Sequence, residues 1–434
     1  MNITIHRGTH EIGGTIIELQ SDGTRILLDA GYPLFLDGKP IDNKISKLAP
    51  AQLLRLGVLP DIKGLYSWDK PSFDAVLISH AHIDHYGLLK YVNPAIPVYM
   101  SRGASKIIEL SKTFNIADVP PLDFRTFKMY KSFSIAGFII KPYLMDHSAF
   151  DAAAFEVSDG ERTVIYTGDF RGHGRKQVCL DRFIKSASNN ADMLLTEGTM
   201  MTRQTETIKT EQELEDEIVA LVQSNENLSG PVLFQTSSQN IDRLVGFFRA
   251  ACRLRRLFVV DVYIANVLYE LRQLGNKIPY PSTEYPYIRV FFPWRLTNRV
   301  FKQYGEEYAT RFRMFRISKS QLKKVQGKIV MAVRASMKDD LKIAGIENGL
   351  FIYSMWNGYR VNDYQHDFET FLIQSGFKTT EVHTSGHAKV TDIQKVISAL
   401  APKMTVPIHT MSPELFVNMA DNVELKEDKI AFTI

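Results

Sequence analysis

Residues whose types could support metal chemistry are concentrated in segment 79–85, whose sequence is SHAHIDH. Imidazole nitrogens and carboxylate oxygens are suitable ligands for zinc. In an extended or turn conformation, His80 and His82 would face one metal ion. Asp84 and His85, at the start of a helix, would then face a second. Because two metal ions need more ligands than one local segment supplies, we expect further ligands elsewhere in the chain.

The elements around this segment have the pattern of an α/β protein. An apolar run from Phe73 to Ser79 predicts a strand directly before the histidines, and residues 86–91 predict the start of a helix. Runs 15–19 and 25–29 flank a Ser-Asp-Gly turn and predict a hairpin. Strands and helices alternate through the following residues, which indicates the α/β class. Further strands are predicted at 96–99, 135–140, 153–157, 163–167 and 192–196.

A second α/β unit is predicted after about residue 205. An amphipathic helix at 210–223 is followed by a strand at 232–235, a long helix at 241–255 and a strand at 259–261. Near Glu381 the chain returns to polar, histidine-containing motifs, and a short strand is predicted at 429–433.

The pattern HxHxDH at residues 80–85 resembles the signature of the metallo-β-lactamase superfamily, and the other motifs of that family occur in order. Asp29 lies in LLDAG, His147 in MDHS, Asp169 in YTGDF and His409 in VPIHT. The resemblance implies two zinc ions, with manganese as an alternative, and a supporting role for Asp29 through hydrogen bonds to the ligands. The implied ligands are His80, His82 and His147 for one ion, and Asp84, His85 and His409 for the other, with Asp169 bridging the two.

Two close cations lower the pKa of a bridging water, so that hydroxide forms near neutral pH, and they neutralise charge on a scissile phosphate. The long block between Asp169 and His409 is similar to the insertion of the β-CASP nucleases, which include RNase J and the cleavage and polyadenylation endonuclease. Glu197, in LLTEGT, resembles the acidic first motif of that group. His387, in HTSGHA, resembles the second, whose histidine acts on the leaving group or the transition-state phosphate. The resemblance thus implies Asp84, Glu197 and His387 as catalytic residues.

The implied fold is an α/β metallo-β-lactamase αββα sandwich with an inserted α/β β-CASP domain. The first part of the sandwich domain is predicted at 1–205, the insertion at 206–375 and the returning part at 376–434. RNase J enzymes carry a further C-terminal domain, whereas this sequence stops soon after His409. That departure puts the tetramer-forming contacts of the family in doubt and leaves a homodimer or a targeting partner open.

Charge is distributed unevenly along the chain. Residues 241–335 contain 19 Lys and Arg against 6 Asp and Glu, although the whole chain has 52 against 48. A nucleic-acid backbone would favour such asymmetry, and a solvated basic face is the alternative. Aromatic residues within this block could stack unpaired bases or belong to the core. They are Phe291, Phe292, Trp294 and Phe312.

Other candidate substrate contacts have equally plain structural alternatives: a turn, a solvated surface or a helix cap. They are Ser385, Gly386, Arg171, His173, Arg175, Ser237, Ser238 and Asn240. The two cysteines, Cys179 and Cys252, argue against a disulfide framework. With neither a signal peptide nor a long apolar run in the sequence, we expect a cytoplasmic protein.

The sequence therefore predicts a two-metal-dependent nuclease that hydrolyses phosphodiester bonds of RNA or single-stranded DNA through a metal-bridging hydroxide. A metallohydrolase of a small ester or phosphodiester, with the insertion as a lid, is the alternative. A nucleic-acid-binding scaffold without activity is a third interpretation. The choice between RNA and DNA, and between internal cleavage and cleavage from an end, stays open.

Overall fold

The computed structural model describes residues 1–42, 44–203, 205–225, 230–275 and 277–434. They form two compact units. The first contains 1–108, 118–207 and 386–434, and the second contains 109–117 and 208–385. The sequence predicts domain limits after residues 205 and 375, and these limits stay predictions. Within the described ranges, we find no helix with the length and apolar character needed to cross a membrane.

The first unit is built on two mixed sheets. Its N-terminal strands pair as the predicted hairpin, with Ile17 opposite Leu28, and Asp22 and Gly23 supply the positive φ angles of the turn. The described strands of one sheet are, in spatial order, Ala431–Thr433, Asn2–Arg7, Ile16–Ser21, Thr24–Leu28, Ala75–Leu77, Val98–Ser101 and Phe124–Phe127. Those of the other are Thr405–Ile408, Met193–Glu197, Thr163–Tyr166, Ala153–Ser158, Phe138–Leu144 and Phe133–Ile135.

An apolar core lies between these two sheets. Ile17 and Leu28 of one sheet belong to the same buried cluster as Ile140 and Phe155 of the other. The alternate side chains of the second sheet form a separate cluster with the helices Val178–Ser186 and Val390–Leu400. The predicted sandwich fold is therefore confirmed. The remaining α-helices described that begin in this unit are Pro50–Arg55, Ile83–Tyr86 and Arg102–Thr113.

The second unit contains a parallel sheet covered by helices. Continuous buried strands such as Ile329–Ala332 are typical of a parallel sheet with both faces covered. The strands in spatial order are Ile288–Phe291, Leu257–Asp261, Ile329–Ala332, Val232–Gln235, Leu350–Tyr353 and Lys378–Glu381. The α-helices described here are Glu211–Ser224, Ile241–Arg253, Val262–Arg272, Trp294–Tyr304, Glu306–Thr310, Lys319–Val325, Lys338–Ala344 and Asp363–Gln374.

Three elements are shorter in the structure than the sequence predicts. The helix predicted at 241–255 ends at Arg253, because Arg255 has a positive φ of 54° and breaks the helical path. The helix predicted from residue 86 is a short helix, Ile83–Tyr86, followed by a 3₁₀ turn at Gly87–Tyr91. The C-terminal strand is limited to Ala431–Thr433, since Lys429 has a φ of 67°.

Two neighbouring residues of one strand test the sandwich core. Ile140 is buried between the sheets, whereas Ile139 is 52% exposed on the opposite face of the strand. Replacing Ile140 with Ala should lower the free energy of unfolding by about 2–5 kcal/mol, because a cavity forms in a packed core. Ile139→Ala is the matched control and should change it by less than about 1 kcal/mol. Urea denaturation measures both, and equal losses would contradict this description of the core.

Candidate metal centre

Buried Asp29 lies directly after the strand Thr24–Leu28 and is surrounded by hydrogen-bond donors. Its carboxylate accepts hydrogen bonds from the amide and the hydroxyl of Ser79 at 2.6 and 2.7 Å. It also accepts from His85 Nδ1 at 2.7 Å and from the hydroxyl of Tyr166 at 2.5 Å. The Asp29 amide donates to the carbonyl of Leu77 at 2.8 Å. Asp29 therefore fixes the start of the histidine segment and the ring of one predicted ligand.

Three of the predicted ligands form one convergent group. His80 Nε2 lies 3.2 Å from His82 Nδ1, which lies 3.1 Å from His147 Nε2. The other ring nitrogen of His147 donates to the carbonyl of Gly386 at 2.6 Å, which orients the ring. One nitrogen of each imidazole is thus directed to a common point, as a tetrahedral metal site requires.

The other four predicted ligands form a second group. Asp84, His85, Asp169 and His409 place one ligand atom each within 4.8 Å of all the others. Asp169 Oδ2 is 3.1 Å from His85 Nε2 and 3.7 Å from His409 Nε2. The same oxygen is 3.8 Å from His80 Nε2 of the first group. Asp169 is therefore in the place expected of a shared ligand.

His409 supplies an independent indication that these residues fit metal ions. Its Nδ1 lies 2.9 Å from the hydroxyl of Thr15, and its amide donates to the carbonyl of Gly8 at 2.7 Å. Its Nε2 is buried without a hydrogen-bond partner among the described residues. A buried polar atom without a partner is unfavourable, and coordination of a cation would satisfy it.

Burial controls the protonation of most of these imidazoles. It lowers the pKa of His80 and His147 well below the usual value, and lowers that of His82 to about 4. Burial also lowers the pKa of His409. These four rings are therefore neutral near pH 7, which is the form that coordinates metal.

At His85, neighbouring carboxylates raise the pKa of the imidazole. Burial lowers the pKa of His85, but Asp169 and Asp29 outweigh burial and raise it well above the usual value. Burial raises the pKa of Asp169, while His409, His85 and His387 lower it well below the usual range. Asp169 is therefore ionised, as a bridging ligand must be.

Glu197 and His387 form a pair beside the shared aspartate. His387 Nδ1 lies 3.1 Å from Glu197 Oε2 and 3.6 Å from Asp169 Oδ2. Glu197 is itself held by the amide of Phe170, which donates to Oε1 at 2.9 Å. Burial lowers the pKa of His387, but Glu197 and Asp169 raise it to about 9 overall. The ring is 21% exposed, whereas the carboxyl group of Glu197 is buried.

The loop after Asp169 contains three candidate substrate contacts, for which a solvated surface was the alternative, and burial excludes that alternative for Arg171 and His173. Arg171 and His173 are 0% and 3% exposed, and the Arg171 guanidinium contacts Asp146 at 3.2 Å. Arg171 therefore has a packing role in the structure, while Arg175 is partly exposed. Gly386 contributes its carbonyl to His147, and contact of Gly386 with substrate stays a prediction. Ser385 belongs to the second unit.

The loop before the helix Ile241–Arg253 contains the remaining predicted contacts. Asn240 caps this helix by accepting a hydrogen bond from the amide of Arg243 at 3.1 Å. Ser237 Oγ accepts from the amide of Gln239, and Ser238 Oγ accepts from Arg334. The capping interpretation of Asn240 is thus confirmed, and substrate binding by the two serines stays a prediction.

Sequence reasoning missed two side chains that orient the candidate ligands. Thr15 contacts His409 through its hydroxyl, and Tyr166 donates to Asp29. Tyr166 comes just before the TGD motif of Asp169, so its position offered a weak signal. Thr15 offered none, because it is 394 residues away from His409 and only folding brings them together.

Comparison with known proteins agrees with this fold. Residues 24–225 match the family model of the Beta-lactamase superfamily domain. That match confirms the predicted resemblance to the metallo-β-lactamase superfamily, a fold class that implies binding of divalent metal ions. A crystal structure of a protein of unknown function from Enterococcus faecalis V583 shares the fold over 100% of this chain and 99% of its own. Its TM-score is 0.76 at 20% sequence identity.

Two curated relatives are more specific. The chain is 23% identical to Ribonuclease J of Mycoplasma genitalium, over 98% of this chain and 70% of the relative. It is 22% identical to Ribonuclease J of Sinorhizobium meliloti, over 81% of this chain and 60% of the relative. The predicted similarity to RNase J-like nucleases is therefore confirmed, although the chain spans only part of the length of both relatives.

Asp29→Asn tests the support of the candidate metal centre. The amide nitrogen of Asn would face a donor in place of a carboxylate oxygen, so His85 and Ser79 would lose their orientation. We expect the affinity for Zn²⁺ to fall about 10- to 100-fold, as for other groups that orient metal ligands. Asp123→Asn, at a half-exposed surface ion pair, is the control and should keep the wild-type affinity. Competition with a chromogenic chelator measures both, and an unchanged affinity of Asp29→Asn would refute the supporting role.

Proposed function

We propose that this chain is a two-metal-dependent nuclease that hydrolyses phosphodiester bonds of RNA. The observation that carries the proposal is the position of Asp169, which is within 4 Å of ligands of both groups and of His387. The similarity to two ribonucleases supports RNA as the substrate. Zinc is the proposed metal, with manganese as an alternative, because the donors are mainly imidazoles.

Each of the two ligand groups would hold one cation. His80, His82 and His147 would hold one cation, and Asp84, His85 and His409 the other, with Asp169 shared. Bound divalent cations would lower the pKa of a water molecule and offset the negative charge of the scissile phosphate. The protein contributes fixed ring orientations, through Asp29 at His85, Thr15 at His409 and the Gly386 carbonyl at His147.

His387 is the proposed proton donor to the leaving oxygen. Glu197 binds the Nδ1 side of its ring, which fixes the ring and favours a proton there. Delivery of a proton from the Nε2 side would neutralise the alkoxide that forms when the phosphorus–oxygen bond breaks. Glu197 is a positioning residue in this scheme, because it acts on the substrate only through His387.

His387→Ala tests this assignment. With 5′- and 3′-labelled single-stranded RNA, the cleavage rate should fall about 10²- to 10⁴-fold, as expected for loss of a general acid. His10→Ala, which removes a half-exposed histidine of the same unit, is the matched control and should cleave normally. The label released first gives the polarity, and internal products indicate endonuclease action. Wild-type cleavage by His387→Ala would contradict its proposed role.

Removal of metal tests the dependence on cations. Dialysis against a chelator should abolish RNA cleavage, and addition of Zn²⁺ or Mn²⁺ should restore it, because the phosphate charge is otherwise unopposed. Single-stranded DNA and a chromogenic phosphodiester are assayed alongside. Turnover of the small phosphodiester that oligonucleotides do not inhibit, in protein that leaves RNA intact, would overturn the nuclease proposal.

A further inference from the structure

The helix Trp294–Tyr304 of the second unit carries exposed aromatic side chains that are not packed in the core. Of the aromatic residues considered for base stacking, Phe291 and Phe312 are buried, which confirms the core interpretation for both. Trp294 is 66% exposed, and Phe301 of the same helix is 45% exposed. Val300 is the buried residue described for this helix, so most of the surface of the helix faces solvent.

One side of this helix lines a shallow cavity of about 430 Å³. We call its lining the Trp294 surface. It consists of Trp294, Arg295, Asn298, Arg299, Lys302 and Gln303. The lining combines an exposed indole ring, three cations and two amides, and it contains no carboxylate.

Helical spacing organises these side chains into neighbouring stripes. Trp294 and Phe301 are seven residues apart and lie on the same side of the helix, with Asn298 between them. Arg295 and Lys302 repeat the same spacing on the adjacent stripe. An aromatic stripe therefore runs beside a cationic stripe for about 10 Å, at a rise of about 1.5 Å per residue.

Both arginines of the Trp294 surface have partners within the second unit. Arg299 donates to the carbonyl of Phe114 at 3.1 Å, which directs its guanidinium without neutralising its charge. Arg295 pairs with Asp339 at 2.9 Å, and both side chains are well exposed. An exposed pair of this kind is weakly held, so a phosphate can replace the carboxylate without burying an unpaired charge.

We propose that the Trp294 surface, whose residues are not part of the candidate metal centre, binds a single-stranded segment of RNA. Trp294 stacks on a base, Arg299 and Lys302 bind backbone phosphates, and Asn298 and Gln303 donate to base edges. RNA as the occupant rests on the proposed function. The uneven charge of residues 241–335, with 19 basic and 6 acidic side chains, favours this polyanion.

The amides argue against a membrane as the occupant. Asn298 lies between the two exposed aromatic residues, so insertion of this stripe into lipid would also bury a polar amide. In contrast, a nucleobase presents hydrogen-bonding edges to such an amide and a flat face to the indole ring.

The test is binding of a fluorescent 20-nucleotide single-stranded RNA, with a phosphorothioate backbone that resists cleavage, to the full chain in the presence of Zn²⁺, by anisotropy. Trp294→Ala should raise the Kd at least fivefold, since loss of one base stack weakens binding about 5- to 150-fold. The double variant Arg299→Ala/Lys302→Ala should also bind more weakly and show a smaller dependence on salt concentration.

The controls remove equivalent groups elsewhere. Tyr287→Ala deletes another exposed aromatic residue of the second unit, and Lys128→Ala/Lys131→Ala deletes two exposed cations of the first. Both should bind RNA within twofold of the wild type. Equal weakening in the controls, or wild-type affinity of Trp294→Ala, would overturn the proposal. Binding to phosphatidylserine vesicles that Trp294→Ala abolishes, with RNA affinity unchanged, would overturn it in favour of a membrane.

This readout is separate from catalysis. If the chain binds RNA through Trp294 but no metal supports cleavage, the surface stands and the proposed nuclease function fails. If metal-loaded protein cleaves RNA while Trp294→Ala binds and cleaves as well as the wild type, the function stands and the surface fails.

Discussion

The carboxylate of Asp29 holds together the segments that supply the candidate metal ligands. It accepts hydrogen bonds from Ser79 and His85, at the two ends of segment 79–85, and from Tyr166, which precedes the motif of Asp169. A fully buried carboxylate is stable only when donors satisfy it, so these contacts are mutually dependent. Because this carboxylate binds both Ser79 and His85, it fixes the two ends of the segment that connects the strand Ala75–Leu77 to the helix Ile83–Tyr86.

The convergence of ligands has an energetic cost that a metal would offset. Neutral imidazoles with facing nitrogens lie around His82, and a buried nitrogen of His409 has no hydrogen-bond partner among the described residues. Such groups destabilise a fold unless something satisfies them. Cations bound at Asp169 would remove this penalty and link metal binding to stability. The arrangement is therefore better explained as a binding site than as a structural network of hydrogen bonds.

How much the sequence could predict depended on how local each signal was. The segment 79–85 and the motifs of His147, Asp169 and His409 predicted side chains that the structure brings together. Burial of Arg171 beside Asp146 was not predicted, because no short motif reports such packing. Charge and aromatic content drew attention to residues 241–335. Only the fold separated exposed Trp294 from buried Phe291 and Phe312.

The central claim is that two metal ions share Asp169, and anomalous X-ray diffraction from crystals containing Zn²⁺ or Mn²⁺ tests it most directly. The account predicts two anomalous peaks in the first unit. One peak should contact His80, His82 and His147, the other Asp84, His85 and His409, and Asp169 should contact both. A single peak, two peaks without Asp169 as a common ligand, or metal bound only at other residues would contradict the account.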